Sequence, residues 1–221
     1  MFLVAMFLVS LQPVSAQQKN TKVETDRQKK EAADQLGKAL DYFVSKKYHE
    51  CLIIMQELDR HYRLNPRYKA YLGVCYYYEW DYKKASKCLD EVISQLDNFA
   101  PHERSFYYWA DAESHFNQQE YIQAIRLYQQ MLPICYANEN PDVYYRIGFC
   151  YLFIEDWGGA WNNLLKARAG YRELRNTPDM QARITQVDHM LNGLKPKVVE
   201  LVVNQLTTSY WHPQTRRAVN P

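Results

Sequence analysis

The chain has 221 residues, of which 47% are apolar or aromatic and only 7 are glycine, so it is too apolar for a disordered chain and long enough to bury a large core or an extended stack. Its 27 Lys and Arg against 25 Asp and Glu leave a net charge of +2, which gives no electrostatic reason to expect a nucleic-acid partner.

Residues 1–16, MFLVAMFLVSLQPVSA, carry no charge, run apolar from Phe2 to Leu11 and end on Val14-Ser15-Ala16, the small-residue spacing that signal peptidases cut. This predicts a cleaved signal peptide, a mature chain starting at Gln17, and a periplasmic or extracellular location. The apolar run is far short of the ~20 residues a spanning helix needs, so no membrane-spanning segment is expected after cleavage. Nothing basic precedes Lys19, as expected if translation starts upstream. Residues 17–31 are polar and rich in Lys and Glu, which reads as a solvated tail or frayed helix.

From residue 32 to 175 one motif recurs. Tyr71-Leu72-Gly73-Val74-Cys75-Tyr76 and Arg146-Ile147-Gly148-Phe149-Cys150-Tyr151 share a template, and each is followed nine residues after its last Tyr by an alanine, Ala85 and Ala160. Taking that alanine as anchor, the other copies fall on Cys51 and Ala124, which puts 34, 39 and 36 residues between successive anchors. Twelve residues before each anchor stands a small residue, Ala39, Gly73, Ala112 and Gly148, and three before it an aromatic, Tyr48, Tyr82, Tyr121 and Trp157. Four after it come Met55, Leu89, Tyr128 and Leu164. Nine before it come Tyr42, Tyr76, His115 and Tyr151, a column that only His115 breaks, so His115 reads as a core or boundary residue. Two helices approach closely only where a side chain is nearly absent, which is the role of the small residue and the anchor. Each repeat, about 32–65, 66–100, 105–138 and 141–175, is therefore expected to be helix, short turn, helix. Prolines 66, 101, 141 and 178 stand ahead of each later pair, where a missing N–H costs little.

These residues resemble the tetratricopeptide repeat, W-x2-L-G-x2-Y followed by Ala and an apolar residue four later. Lys69-x2-Leu72-Gly73-x2-Tyr76 and Tyr144-x2-Ile147-Gly148-x2-Tyr151 carry the resemblance. Lys69 and Tyr144 replace its Trp, Cys51 its anchor Ala, and Asp111-Ala112 its Leu-Gly. The resemblance implies an all-α fold, a right-handed superhelix of antiparallel helix pairs, here about four repeats, and points to an exported bacterial repeat protein.

Beyond Pro178 the pattern weakens. Ile184, Val187, Met190 and Leu191 keep helical spacing, and Val198, Leu201, Val202 and Leu206 follow Pro196, which predicts a degenerate helix pair over 178–208 closing the stack. Residues 209–221 read as a loose tail.

In such a stack the first helix of each pair lines the inner face, and positions eighteen, fifteen, eleven, eight and seven before the anchor are left for recognition. These offsets, with Arg146 alongside, mark Arg67, Tyr77, Tyr78, Phe106, Trp109, Phe116, Tyr145, Arg146, Phe149 and Phe153 as candidate partner-binding residues. Such an aromatic strip serves either burial against neighbouring helices or recognition of a peptide or protein, since Tyr, Trp, Phe and Arg are the types enriched at binding hot spots. Clamping of a terminal carboxylate is disfavoured, because Arg67 and Arg146 stand two repeats apart.

No catalytic pattern accompanies the repeats. The sequence has no G-x-S-x-G, no H-E-x-x-H among its six histidines, and no phosphate loop at Gly158-Gly159. Cys51, Cys75, Cys88, Cys135 and Cys150 lack zinc spacing and read as small buried hydrophobes. No cofactor or metal is expected. The reading is a non-catalytic scaffold of the bacterial cell envelope that binds a protein or peptide; a sugar-binding protein or an enzyme using the aromatic groove is the alternative.

Overall fold

A computed structural model describes residues 14–175 and 177–211, with side-chain surroundings for 26–175 and 177–205. Residues 1–13 of the expected signal peptide and 212–221 of the expected tail lie outside the described residues. Among the described residues every regular element is helical. The chain divides into two compact units, Met1–Arg63 and Leu64–Pro221.

The first unit is a hairpin of α1 (Val14–Val44) packed on α2 (Tyr48–His61). Here α1 runs unbroken through the polar segment and the first repeat's first helix, and its side chains from 26 to 31 are exposed. Ala39, Cys51 and Met55, the small, anchor and large positions of the first repeat, are buried.

The second unit begins with three further hairpins: α3 (Pro66–Tyr78) with α4 (Tyr82–Val92), α5 (Pro101–Asn117) with α6 (Tyr121–Met131), and α7 (Asn140–Phe153) with α8 (Trp157–Leu174). Successive hairpins stack, α4 lying on α5, α6 on α7 and α3 also on α5. Pro66 and Pro101 open α3 and α5 and Pro141 is the second residue of α7, all positions where the absent N–H has no helical partner to lose. Asn65 caps α3 by accepting from the Tyr68 N–H at 3.0 Å.

Close approach explains the small-residue column. A Cβ on Gly73 would sit 2.7 Å from Leu89 Cγ, and one on Gly148 would sit 2.9 Å from Leu164 Cγ. The small residue before the anchor and the large one after it therefore touch across the second and fourth hairpins, which is why both columns repeat together there. Where alanine replaces glycine the partner changes too, to Met55 against Ala39 and Tyr128 against Ala112.

All four hairpin turns are built alike. Lys46, Trp80, Gln119 and Glu155, each five residues before an anchor, adopt positive φ between 57° and 64°. The next residue's N–H returns to the carbonyl five earlier, as in Asp81 to Tyr76 at 3.0 Å and Asp156 to Tyr151 at 2.9 Å, and the positive-φ residue bonds three back, as in Trp80 to Tyr77 at 3.0 Å. This pair of bonds is the Schellman motif, which satisfies the last carbonyls of each first helix.

The C-terminal region corrects the sequence reading. In place of a helix pair over 178–208, a short 3₁₀ turn at Pro178–Met180 leads into one helix, α9 (Gln181–Trp211), which contains Pro196. Proline inside a helix removes one hydrogen bond and crowds the carbonyl four residues back. Here Asn192 and Pro196 are both exposed, so that carbonyl faces water and the helix continues through the stop signal. Ile184, Val187, Leu191 and Leu194 pack α9 onto the core around Ala160, Leu164 and Tyr171. Past them Val199, Leu201, Val202 and Val203 stay exposed.

The centre of the second unit is α5, buried on every side from Ala110 to His115. Its core positions include Asp111, Glu113, Ser114 and His115. A helix buried all round is normally apolar, so these polar groups need partners.

Candidate functional site

Two adjoining cavities open on the first helices of the second unit. One of about 290 Å³ is lined by Tyr78 of α3, Phe106 and Trp109 of α5, Met131, and Tyr136 and Glu139 of the α6–α7 connection. The other, about 480 Å³, is lined by Trp109, Tyr145, Arg146 and Phe149, with Arg183 and Gln186 of α9 as its far wall. Trp109 and Asp142 belong to both, so the indole forms the partition of one groove.

The aromatic walls are held by edge contacts. Trp109 meets Tyr128 edge-on at 5.7 Å, and Tyr145 meets Phe149 at 4.7 Å. Such pairs fix ring orientation beyond what burial alone does. Tyr136 stacks on His102, and both line the smaller cavity.

The charged residues are organised from beneath. Glu113, 3% exposed, accepts hydrogen bonds from the Tyr128 hydroxyl and from Arg146, joining the third repeat to the fourth. Burial raises the Glu113 carboxyl above its ordinary range, while Arg146 and the Tyr128 hydroxyl oppose the shift. Arg146 also lies 4.9 Å from the Phe116 ring, so its charge is spent within the protein. Burial, with the nearby Glu113 charge, pushes the Tyr77 hydroxyl up to about 12. Asp142 accepts from the Tyr171 hydroxyl at 2.7 Å and from Arg175. Arg183 differs from these: it lies over the Tyr145 ring at 4.4 Å, and no carboxylate pairs with it among the described residues.

Of the residues marked by repeat offset, Tyr78, Phe106, Trp109, Tyr145, Arg146 and Phe149 line the groove. Tyr145 is only 6% exposed and packs with the α9 core, so little of its ring is open to an occupant. Phe116 and Phe153 join Tyr121 in a neighbouring aromatic cluster, with Tyr121 stacked on Phe153 at 4.8 Å. Tyr77 packs edge-on to Tyr78. Arg67 lines neither cavity; it is tied to Glu103 by two hydrogen bonds of 2.7 and 3.0 Å and lies over Phe99. His102, Tyr136, Glu139, Arg183 and Gln186 escaped the sequence reading, because the offsets were taken from the repeats alone.

No family model and no curated protein matches the sequence. Solved structures do. The chain is similar to the apo form of RapI, with a TM-score of 0.57 at 14% identity over 80% of this chain and 67% of that one. It is similar to a double mutant of MamA RS-1, with a TM-score of 0.55 at 17% identity over 79% of this chain and 96% of that one. A further likeness is to MamA 41-end from Desulfovibrio magneticus RS-1, at 0.53 and 18% over the same shares. At these identities the likeness shows the fold, a tetratricopeptide-type stack of helical hairpins.

Proposed function

We propose that this chain is a non-catalytic adaptor that holds a segment of another protein in the groove partitioned by Trp109. The observation that carries the reading is the groove itself, two adjoining cavities walled by half-buried aromatic rings on rigid helices. Large aromatic anchors set in pockets are the usual energetic centre of a protein interface. Arg183, with no carboxylate partner among the described residues, suits an acidic side chain or terminal carboxylate on the occupant. The signal-peptide reading of residues 1–16 supports an adaptor working in the cell envelope of a diderm bacterium, where it would bring envelope or secretion components together.

The test is selection from a random peptide library, followed by affinity measurement on single variants. Trp109→Ala and Phe149→Ala should each weaken binding by about 2 kcal/mol or more, and Arg67→Ala, outside the groove, should not. Thermal midpoints measured alongside separate lost binding from lost packing, because both rings also lie against the core. Selected peptides indifferent to Trp109, or oligosaccharides bound on a glycan array through the same ring, would overturn the peptide reading. Sequencing the N-terminus of the exported protein, expected to begin at Gln17, tests the location.

A further inference from the structure

The third repeat departs from the template at two positions on one face of α5. Asp111 stands where the second and fourth repeats have Leu72 and Ile147, and His115 where they have Tyr76 and Tyr151. Four residues apart, the two side chains share a helical face. Across from them on α4 stands Asp90, and one ligand atom from each of the three lies within 4.8 Å of the others.

Asp111 is 0% exposed, and neither of its carboxylate oxygens has a hydrogen-bond partner among the described residues. A buried carboxylate without donors is costly, and here the nearby His115 Nε2 stands 3.6 Å away, beyond hydrogen-bond range. Asp90 adds a second carboxylate, 3.3 Å from the same nitrogen. The imidazole is fixed from its other side, with Nδ1 2.5 Å from Glu120. Glu120 occupies the position at which Asp81 and Asp156 cap their helices by accepting from Lys84 and Gly159 N–H groups. Its own side chain makes no cap and turns to His115 instead. The third repeat has thus replaced one apolar core residue and one half-buried tyrosine and diverted one capping residue, all toward the same point.

We propose that Asp90, Asp111 and His115 bind a divalent transition-metal ion of the zinc class, with Glu120 orienting the imidazole. One nitrogen with two carboxylates suits zinc, manganese or iron, whereas calcium and magnesium take all-oxygen shells. A carboxylate behind a histidine whose far nitrogen faces the ligands is the common outer arrangement of such centres. The ion supplies the bonding partner that the Asp111 oxygens lack, since His115 stands too far to hydrogen-bond them. Asp90 is 45% exposed at its side chain, which gives the ion a path in and leaves room for water as a further ligand. Bound, it would pin α4 to α5 and so the second repeat to the third.

The experiment uses the full chain, stripped of metal and titrated with cobalt(II) and with zinc. Expected is uptake of one ion per chain, visible bands of cobalt bound to nitrogen and oxygen, and no thiolate-to-cobalt charge-transfer band, which separates this centre from the five cysteines. Asp111→Asn and His115→Gln should abolish uptake, and Glu120→Gln should weaken it about 10- to 100-fold. Asp90→Asn, at a half-exposed position, serves as the ligand variant whose fold is not in question. The thermal midpoint should rise with zinc in the parent and stay fixed in Asp90→Asn. Absence of uptake, a thiolate band, or undiminished uptake in Asp90→Asn would each overturn the proposal and leave Asp111 as a protonated buried acid.

Discussion

The second and third repeats share a backbone plan and differ in what fills it. In the second, the hairpin closes on Gly73 against Leu89, and the residue beside the glycine is the apolar Leu72. In the third, Ala112 and Tyr128 occupy the matching places, and the buried neighbours are Asp111, Glu113 and His115. The comparison teaches that the packing columns tolerate a change of both chemistry and side-chain size at matched positions. The second repeat buries no charged residue among those described, and its ion pairs, Lys69 with Glu91 and Arg67 with Glu103, each keep an exposed member. The third is tied to both neighbours by charge, reaching Asp90 of the second through His115 and Arg146 of the fourth through Glu113.

The harshest way to break that difference is to remove one member of the charge network. Breaking a buried ion pair costs about 3 to 5 kcal/mol, and because Arg146 is 31% exposed at its side chain the lower end applies. Glu113→Ala should therefore destabilise the chain by about 3 kcal/mol, read from chemical denaturation followed by helical circular dichroism. Much of that loss should return in a triple variant with Arg146→Met and Tyr128→Phe, where neither former partner of Glu113 is left as a buried polar group without a bond. A single-variant cost inside the ±0.5 kcal/mol scatter of surface changes would show that the buried charge of the third repeat adds nothing to its stability.

The counterpart in the second repeat is Gly73→Ala. The added Cβ meets Leu89 Cγ at 2.7 Å, and overpacking of this kind costs about 1 to 3 kcal/mol, while helix propensity returns about 1. A net loss of about 1 kcal/mol is expected. Adding Leu89→Met, which recreates the Ala39 and Met55 pairing of the first repeat, should relieve part of it because methionine bends around an obstacle. If Gly73→Ala instead gave the full propensity gain, the close contact would not be limiting.

Sequence carried the columns well because spacing and volume are linear properties: Ala39, Gly73, Ala112 and Gly148 can be aligned without any structure. Proline at 196 misled because its effect depends on whether the abandoned carbonyl reaches water, and the exposure of Asn192 comes only with the fold. The groove was legible where it draws on repeat offsets, at Tyr78, Trp109 and Phe149, and illegible where Arg183 and Gln186 enter from α9 outside the register. The Asp90, Asp111 and His115 cluster has no short spacing, since Asp90 lies 21 residues before Asp111 and meets it only across two helices. What sequence did offer there was the broken column: Asp for Leu and His for Tyr on one face of one helix.

The gentlest comparison concerns the turns, where the repeats do not differ. Lys46, Trp80, Gln119 and Glu155 share no chemistry, yet all hold positive φ in the same Schellman turn. A residue with a Cβ adopts that conformation at a cost of roughly 1 to 2 kcal/mol, and glycine adopts it freely. Glycine brings back about 0.5 to 1 kcal/mol of unfolded-chain entropy, so the substitution should win by about 0.5 kcal/mol at each site. Trp80 is 78% exposed and Gln119 and Glu155 are exposed as well, so little burial is lost. Trp80→Gly, Gln119→Gly and Glu155→Gly should therefore each raise the denaturation midpoint slightly, with equal increments in the third repeat, which buries charge, and the second, which does not, and should add when combined. A gain at Trp80 and Glu155 with a loss at Gln119 would mean that the polar core of the third repeat reaches into its turn, and that the repeats differ in backbone as well as in filling.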